Sequence, residues 1–249
     1  EGEEVANEEI AIAVRNGTLA LSITPAFCGS AFKDKGVQNV LDAIVDYLPS
    51  PLDVPPIEGI NPETDEKVVR ELLPDQPFAG LVFKTINDPN GDLTFMRVYS
   101  GQLEAGEQIV NTRTGKKERL GRLYRMHAAS REAIQQIEAG DIIAVMGLKN
   151  THTGDTLSDS DHQITLESVE FPDTVISMSI EPQSKGDRDK LSHVLALLAK
   201  EDPTFQAWTD EETEETIIAG MGELHLEVLR HRIIRDFKVA ATCGKPRVA

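Results

Sequence analysis

The side chains that could do chemistry are few, and their spacing completes no catalytic motif. A phosphate-binding P-loop has the pattern Gly-x-x-x-x-Gly-Lys-Ser/Thr. Gly115-Lys116 fails it twice, because Val110 stands in place of the first glycine and Lys117 in place of the hydroxyl. His225 and Glu227 have the His-x-Glu spacing of zinc deaminases, but the Pro-Cys-x-x-Cys segment that completes such a site does not follow. The residues taken alone therefore predict neither a nucleotide-hydrolysing site nor a metal site.

The composition is that of a protein with enough apolar residues to build cores. Of the 249 residues, 40% are hydrophobic and 27% are charged. No apolar run approaches the length of about 20 residues that a membrane-spanning helix needs, and the chain opens on Glu1-Gly2-Glu3-Glu4 rather than on a signal peptide. Cys28 and Cys243 are far apart, which excludes a disulfide scaffold and suits a reducing compartment. We therefore expect a cytoplasmic protein with no membrane partner.

The net charge of −17 is unevenly distributed along the chain. Residues 113–131, the first basic patch, carry seven basic residues against the single acid Glu118. Residues 230–249, the second basic patch, carry six against Asp236. Because salt screens charges beyond about 8–10 Å, a local basic patch can contact a phosphate backbone even on an acidic protein. The other interpretation is that both patches are solvated surface. The candidates for contact are Lys116, Lys117, Arg119, Arg122, Arg125, His231, Arg232 and Arg235.

The elements that must position these residues differ along the chain. In the first 65 residues, an apolar run over 19–27 ends in Cys28-Gly29-Ser30-Ala31, which predicts a strand and its turn. Apolar residues then recur at helical spacing over 37–48, and prolines end that helix. A strand covered by one helix normally has parallel neighbours, and nothing else in this segment supplies them. We therefore expect the end of a larger α/β domain, followed by an extended Pro-rich linker over 52–65.

Residues 66–169 alternate short β-runs with turn residues. The runs cover 78–83, 93–99, 108–111 and 142–145, and the turns between them include 87–92 and Thr114-Gly115-Lys116. Strands at this even spacing predict a small closed barrel.

Residues 170–249 change pattern again. Strands are predicted over 175–180, 205–208, 215–219 and 239–242. A first helix opens at a Ser184–Asp187 capping box, and a second follows Gly222 with Leu226, Leu229, Ile233 and Phe237 on one face. The order β-α-β-β-α-β is the split βαβ, or ferredoxin-like, plan.

Six stretches, in order along the chain, together resemble elongation factor G, the translational GTPase of ribosomal translocation. They are Cys28-Gly29-Ser30-Ala31-Phe32-Lys33-Asp34-Lys35-Gly36-Val37, Asp46-Tyr47-Leu48-Pro49-Ser50-Pro51-Leu52-Asp53, Arg97-Val98-Tyr99-Ser100-Gly101, Gly121-Arg122-Leu123-Tyr124-Arg125-Met126-His127-Ala128, Glu201-Asp202-Pro203-Thr204-Phe205 and Gly220-Met221-Gly222-Glu223-Leu224-His225-Leu226-Glu227. Any one could be chance, whereas six in sequence are highly specific.

The resemblance implies a multidomain, β plus α/β fold with three parts. Residues 1–65 would be the C-terminal piece of a GTP-binding domain with its linker, 66–169 a translation-factor-type β-barrel, and 170–249 a ferredoxin-like third domain. It also implies that Gly29, Ser30 and Ala31 form the last guanine-base motif, in an incomplete site. The alternative is a turn that needs small residues whatever it binds.

The family's P-loop, switch regions and Asn-Lys-x-Asp motif would precede residue 1, so the resemblance implies an internal fragment. The fragment would have no GTPase activity and no cofactor, since GTP and Mg²⁺ belong to the intact parent. Its partner would be the ribosome, both rRNA and ribosomal proteins, with no DNA, and the basic candidates above would contact rRNA. Alternatives are an independent RNA-binding or adaptor module, a related translational GTPase of the ribosome-recycling or mitochondrial type, and an enzyme whose site the sequence does not show.

Overall fold

The computed structural model describes residues 5–87, 91–128, 130–167 and 171–246, and the chain divides into one unit up to Pro56 and a second from Ile57. The first unit contains helices α1 (Asn7–Leu19) and α2 (Val37–Tyr47), with short 3₁₀ helices at Ala31–Lys33 and Pro51–Asp53. Helix α2 is confirmed. Its last hydrogen bond runs from the Leu48 amide to the carbonyl oxygen of Ile44, and Leu48 itself is extended, with ψ 149°, because a proline follows it.

The predicted strand over 19–27 is wrong. Leu19 is the last residue of α1, and residues 20–29 contain no strand. Glu8 and Glu9 stabilise α1, because acidic side chains in the first turn interact favourably with the helix dipole. A strand needs partners for its backbone groups, and the described part of this unit offers only an isolated bridge between Ser30 and Lys35. The apolar alternation therefore had no sheet to join.

The first unit has a thin core. Among its described residues only Thr18 and Ala43 are buried, while Leu41 and Val45 on α2 are 58% and 78% exposed. Polar contacts hold its parts together instead, because Arg15 donates to the carbonyl oxygen of Asp46 at 2.9 Å and to Asp53 Oδ2 at 2.8 Å. A unit that buries so little apolar area gains little stability from the hydrophobic effect.

The second unit is built from seventeen strands and two helices within its described ranges. The strands are β1 (Ile57–Ile60), β2 (Lys67–Arg70), β3 (Ala79–Ile86), β4 (Leu93–Ser100), β5 (Gln102–Glu104), β6 (Gln108–Asn111), β7 (Lys116–Arg119), β8 (Leu123–His127), β9 (Ser130–Ile134), β10 (Gln136–Glu138), β11 (Ile142–Met146), β12 (Thr156–Ser158), β13 (Thr165–Leu166), β14 (Ile176–Pro182), β15 (Gln206–Thr209), β16 (Thr216–Gly220) and β17 (Ala241–Gly244); the helices are α3 (Lys185–Glu201) and α4 (Glu223–Arg235).

The predicted barrel is confirmed as an eight-stranded antiparallel sheet in the order β7-β6-β12-β3-β4-β11-β8-β9. Its core consists of alternate inward residues, among them Met96, Val98 and Ile143, each at most 1% exposed. The turn predicted at 87–92 lies partly outside the described residues, whereas the Thr114-Gly115-Lys116 turn does join β6 to β7.

The linker predicted over 52–65 is wrong in its second half. Residues 57–60 form β1, which pairs with β2 and, through Gly59 opposite Leu166, with β13. A Cβ on Gly59 would lie 2.6 Å from the carbonyl oxygen of Thr165, so a residue without a side chain is required there. The chain therefore enters the second unit at Ile57, ahead of the expected boundary at 65/66, while the boundary at 169/170 lies outside the described residues.

The β-α-β-β-α-β order is confirmed by an antiparallel sheet β15-β16-β14-β17 with α3 and α4 packed on it. Ser184 caps α3 by accepting from the Asp187 amide at 3.2 Å, as its sequence predicts. The predicted apolar faces are buried: Leu198 on α3 and Leu226 and Ile233 on α4 are all at 0% exposure. The last strand begins at Ala241, two residues later than expected.

Candidate nucleic-acid interface

The first basic patch begins on β7, at one edge of the barrel sheet. Lys116, Lys117 and Arg119 are exposed there, while Glu118 between them is only 7% exposed. The carboxylate of Glu118 accepts from the Lys149 amide at 2.6 Å, the Asn150 amide at 3.0 Å and the Thr151 hydroxyl at 2.6 Å. The single acid of this segment therefore points inward and holds a loop, so it does not neutralise the cations at the surface.

Arg113 has a structural role. Its guanidinium donates two hydrogen bonds to the carboxylate of Asp155, which is 4% exposed and also accepts from Asn111 and from the His152 amide. Burial alone would raise the pKa of Asp155, but the hydrogen bonds from Arg113, His152 and Asn111 hold that pKa below its usual value. This ion pair links the β6–β7 turn to the 150–155 loop, and the Arg113 guanidinium is therefore already bound to a carboxylate.

The structure separates the remaining candidates of the first patch from β7. Arg125 on β8 lies 3.7 Å from Asp141. Arg122 lines a groove of about 830 Å³ between the barrel and α3, together with Lys149, His193 and Lys200, which sequence reasoning did not single out. Because the barrel and α3 come together only in the folded chain, no local sequence pattern could have grouped these four basic residues.

The candidate residues of the second basic patch lie on the last turns of α4. His231 and Arg235 are exposed, with Val228 and Ile234 beside them. Arg232 instead donates to Glu201 Oε2 at 2.7 Å, where the side chain of Glu201 is only 10% exposed. Arg235 donates to Oδ1 of its exposed neighbour Asp236 at 3.1 Å, and a surface pair of this kind contributes little stability. His231 and Arg235 therefore remain at the surface, and Arg232 serves the fold.

The end of α3 joins the third domain to the barrel. Lys200 Nζ lies 2.5 Å from Asp92 Oδ2 and 3.4 Å from the carbonyl oxygen of Leu148. Glu201, besides its pair with Arg232, accepts from the Asn87 amide. These polar contacts fix how the two cation-bearing surfaces are placed, and the sequence offered no signal for them except that Glu201 opens one of the six characteristic stretches.

His225 makes local hydrogen bonds at the start of α4. The Met221 amide donates to its Nδ1 at 3.1 Å, so the ring proton is on Nε2, which lies 2.8 Å from Asp202 Oδ2. A Cβ on Gly220 would lie 2.7 Å from the same Nδ1. Within the described ranges, no three His, Cys, Asp or Glu side chains are grouped so that they could hold a metal ion.

Residues Gly29, Ser30 and Ala31 lie in a tight local loop. The Ser30 amide donates to the carbonyl oxygen of Lys35 at 2.9 Å, and the Lys35 amide donates back at 3.1 Å. A Cβ on Gly29 would meet the Lys35 oxygen at 2.8 Å. The loop itself therefore requires a glycine at position 29, and a role of the three residues in reading a guanine base stays a prediction.

In the part of the chain that the structure covers, no helix combines the length and the apolar character needed to cross a bilayer. The strand order of its two sheets places the second unit in the class in which a β-barrel is followed by a split βαβ domain.

Comparison with known proteins assigns both domains. Residues 77–160 match "Elongation factor G domain 2", and residues 171–245 match "Elongation Factor G, domain III". The matched ranges cover more than half of the chain, and the chain belongs to the elongation factor G family. The crystal structure of a protein from Thermus thermophilus is 26% identical with a TM-score of 0.76, over 99% of this chain and 35% of that one. The chain thus spans about a third of that protein's length.

Proposed function

We propose that this chain supplies ribosome-contacting domains to an elongation factor that drives GTP-dependent ribosomal translocation. The observation that carries the proposal is the succession of the two family domains, each with exposed basic side chains: Lys116, Lys117 and Arg119 on the barrel, His231 and Arg235 on α4. Cations on rigid strands and helices can contact phosphates and so orient a factor on RNA without reading its sequence.

The chain by itself would not hydrolyse GTP, since phosphoryl transfer needs a phosphate cradle, its lysine and Mg²⁺. No P-loop pattern occurs in the 249 residues. The partner would be the ribosome, through rRNA phosphates and ribosomal proteins, in the cytoplasm. GTP and Mg²⁺ would be bound by the intact elongation factor.

The test is charge reversal on β7. Changing Lys116, Lys117 and Arg119 together to Glu should weaken binding to ribosomes and make the remaining binding less sensitive to salt. Each phosphate contact contributes about −0.7 to −0.9 to the slope of log K against log salt concentration, so three lost contacts lower the slope by about 2 to 3. Binding is measured by sedimentation with ribosomes between about 50 and 200 mM salt.

The matched control reverses three exposed cations outside both patches, Lys33, Lys185 and Lys190. It changes the net charge by the same amount and should leave the salt slope near that of the parent chain. Equal loss of binding in both variants would mean that only net charge matters, and it would refute a specific role for β7.

A further inference from the structure

A β-bulge shapes the outer face of the barrel where β3 meets β4. Val82 pairs with Met96 and Lys84 pairs with Phe95, which leaves Phe83 as an extra residue in β3. A bulge sets two residues against one on the neighbouring strand and redirects their side chains. Phe83 and Lys84 are therefore both exposed, next to Phe95, instead of alternating between the core and the surface.

The result is a cluster of rings and cations, which we call the ring face: Phe83, Lys84, Phe95, Arg97 and Tyr99. The rings of Phe83 and Phe95 have centroids 6.3 Å apart, and Lys84 Nζ lies 6.0 Å from the Phe95 centroid. The Arg97 guanidinium carbon lies 5.2 Å from the Tyr99 centroid. Both cations are thus placed at cation–π distance from a ring.

The barrel does not need all of this face for its core. Met96 and Val98, which alternate with Phe95 and Arg97 on β4, fill the interior at 0% exposure. Tyr99 packs partly against the small sheet around Ile164 and Leu166, whereas Phe83 remains 42% exposed.

The surface continues onto the neighbouring strands. Ile142 on β11 lies opposite Arg97 and is 55% exposed. Ala144 on β11 pairs with Phe95 on β4 and Tyr124 on β8 but is at 0% exposure, so on β11 the exposed surface extends through Ile142 and not through Ala144.

We infer that the ring face binds unpaired nucleotides of RNA by stacking their bases on Phe83 and Phe95, with phosphates held by Lys84 and Arg97. Exposed aromatic side chains on a sheet face are how several single-strand-binding folds hold bases, whose π-faces stack whatever their sequence. Lys84 is exposed, whereas Arg97 is partly buried and its Nε has no hydrogen-bond partner among the described residues. Lys84 is therefore the cation placed to meet phosphate, with Arg97 beside it.

Charge complementarity decides in favour of RNA over an apolar protein surface. On a chain of net charge −17, two cations beside exposed rings form a local positive site, and an apolar partner would have to bury both of them unpaired. This inference goes beyond the proposed function, in which the cations of β7 and α4 contact phosphates only.

The experiment measures fluorescence anisotropy of labelled oligoadenylate and oligouridylate of about 12 nucleotides with the full chain. Phe83→Leu and Phe95→Leu keep apolar bulk at one exposed and one partly buried site and should keep the thermal unfolding midpoint. Each should raise the dissociation constant about tenfold, since losing one stacked base has effects of that order. Adenylate should bind more tightly than uridylate, because the larger purine stacks better. The matched control is Trp208→Leu, which removes a ring of similar exposure, 44%, from β15 in the third domain and should change affinity less than about twofold.

Equal affinities for the parent chain, Phe83→Leu and Trp208→Leu would overturn the inference. Loss of ribosome binding by Phe83→Leu with unchanged oligonucleotide affinity would assign the face to a protein partner and would also overturn it. If the β7 charge reversal abolishes ribosome binding while Phe83→Leu changes neither readout, the ring face fails and the proposed function stands.

Discussion

Glu118 is the most informative single residue to perturb, because sequence and structure predict different results. As the lone acid among seven basic residues it resembles a solvated surface charge, whose replacement changes stability by less than about 0.5 kcal/mol. In the structure it is 7% exposed and accepts three hydrogen bonds from the 149–151 loop.

The magnitude follows from those bonds. In Glu118→Ala two backbone amides and one hydroxyl lose their acceptor in a buried position, at about 1 to 3 kcal/mol for each donor that water cannot reach. Allowing for partial rehydration of the loop, we expect a loss of about 3 to 5 kcal/mol. Glu118→Gln should lose only about 1 to 2 kcal/mol, because one amide oxygen can still accept from both backbone amides and its NH₂ group can donate to the Thr151 hydroxyl.

The assay is urea unfolding followed by circular dichroism, with Glu132→Gln as the matched control. Glu132 is also an acid near the first basic patch, but its side chain is 61% exposed, and its replacement should change the free energy of unfolding by less than about 0.5 kcal/mol. If Glu118→Ala costs no more than this control, the loop does not depend on the carboxylate and the reasoning is refuted.

Two further predictions concern the folded core. The pKa of Asp155 is lower in the folded chain than the ordinary 3.8, so the stability that its carboxylate contributes is complete above about pH 5 and is lost as the pH falls through the folded pKa. The difference in urea midpoint between the parent chain and Asp155→Asn should therefore shrink below about pH 4. A difference that does not change with pH would contradict this prediction. Gly220→Ala should lower the free energy of unfolding by about 1 to 3 kcal/mol, because its Cβ would lie 2.7 Å from His225 Nδ1, whereas a Cβ on Gly222 would have no atom within 4 Å. Equal thermal midpoints for Gly220→Ala and Gly222→Ala would count against that clash.

Much of the fold was predictable from local pattern. Helices α2, α3 and α4 and the longer strands of the barrel follow from apolar spacing, since a period of 3.6 or 2 is a property of neighbouring residues. The ferredoxin-like order and the family resemblance were available in the same way, and the family domains confirm them. The failures came where a local pattern depends on a distant partner. The apolar alternation over 19–27 formed no strand because no sheet was present to pair with it. Residues 57–60 became a strand because 67–70 on one side and 165–166 on the other pair with them.

The sequence by itself determined which residues carry charge, most of the helices and strands of the barrel and the third domain, and the family to which the chain belongs. Only the tertiary structure decided which cations remain available. It pairs Arg113 with Asp155 and Arg232 with Glu201, and it leaves Lys116 and Lys117 exposed. It also placed Phe83 and Lys84 on one face through a bulge. The physical reason is that availability depends on partners contributed by distant parts of the chain, and these meet only when burial of the cores brings their elements together.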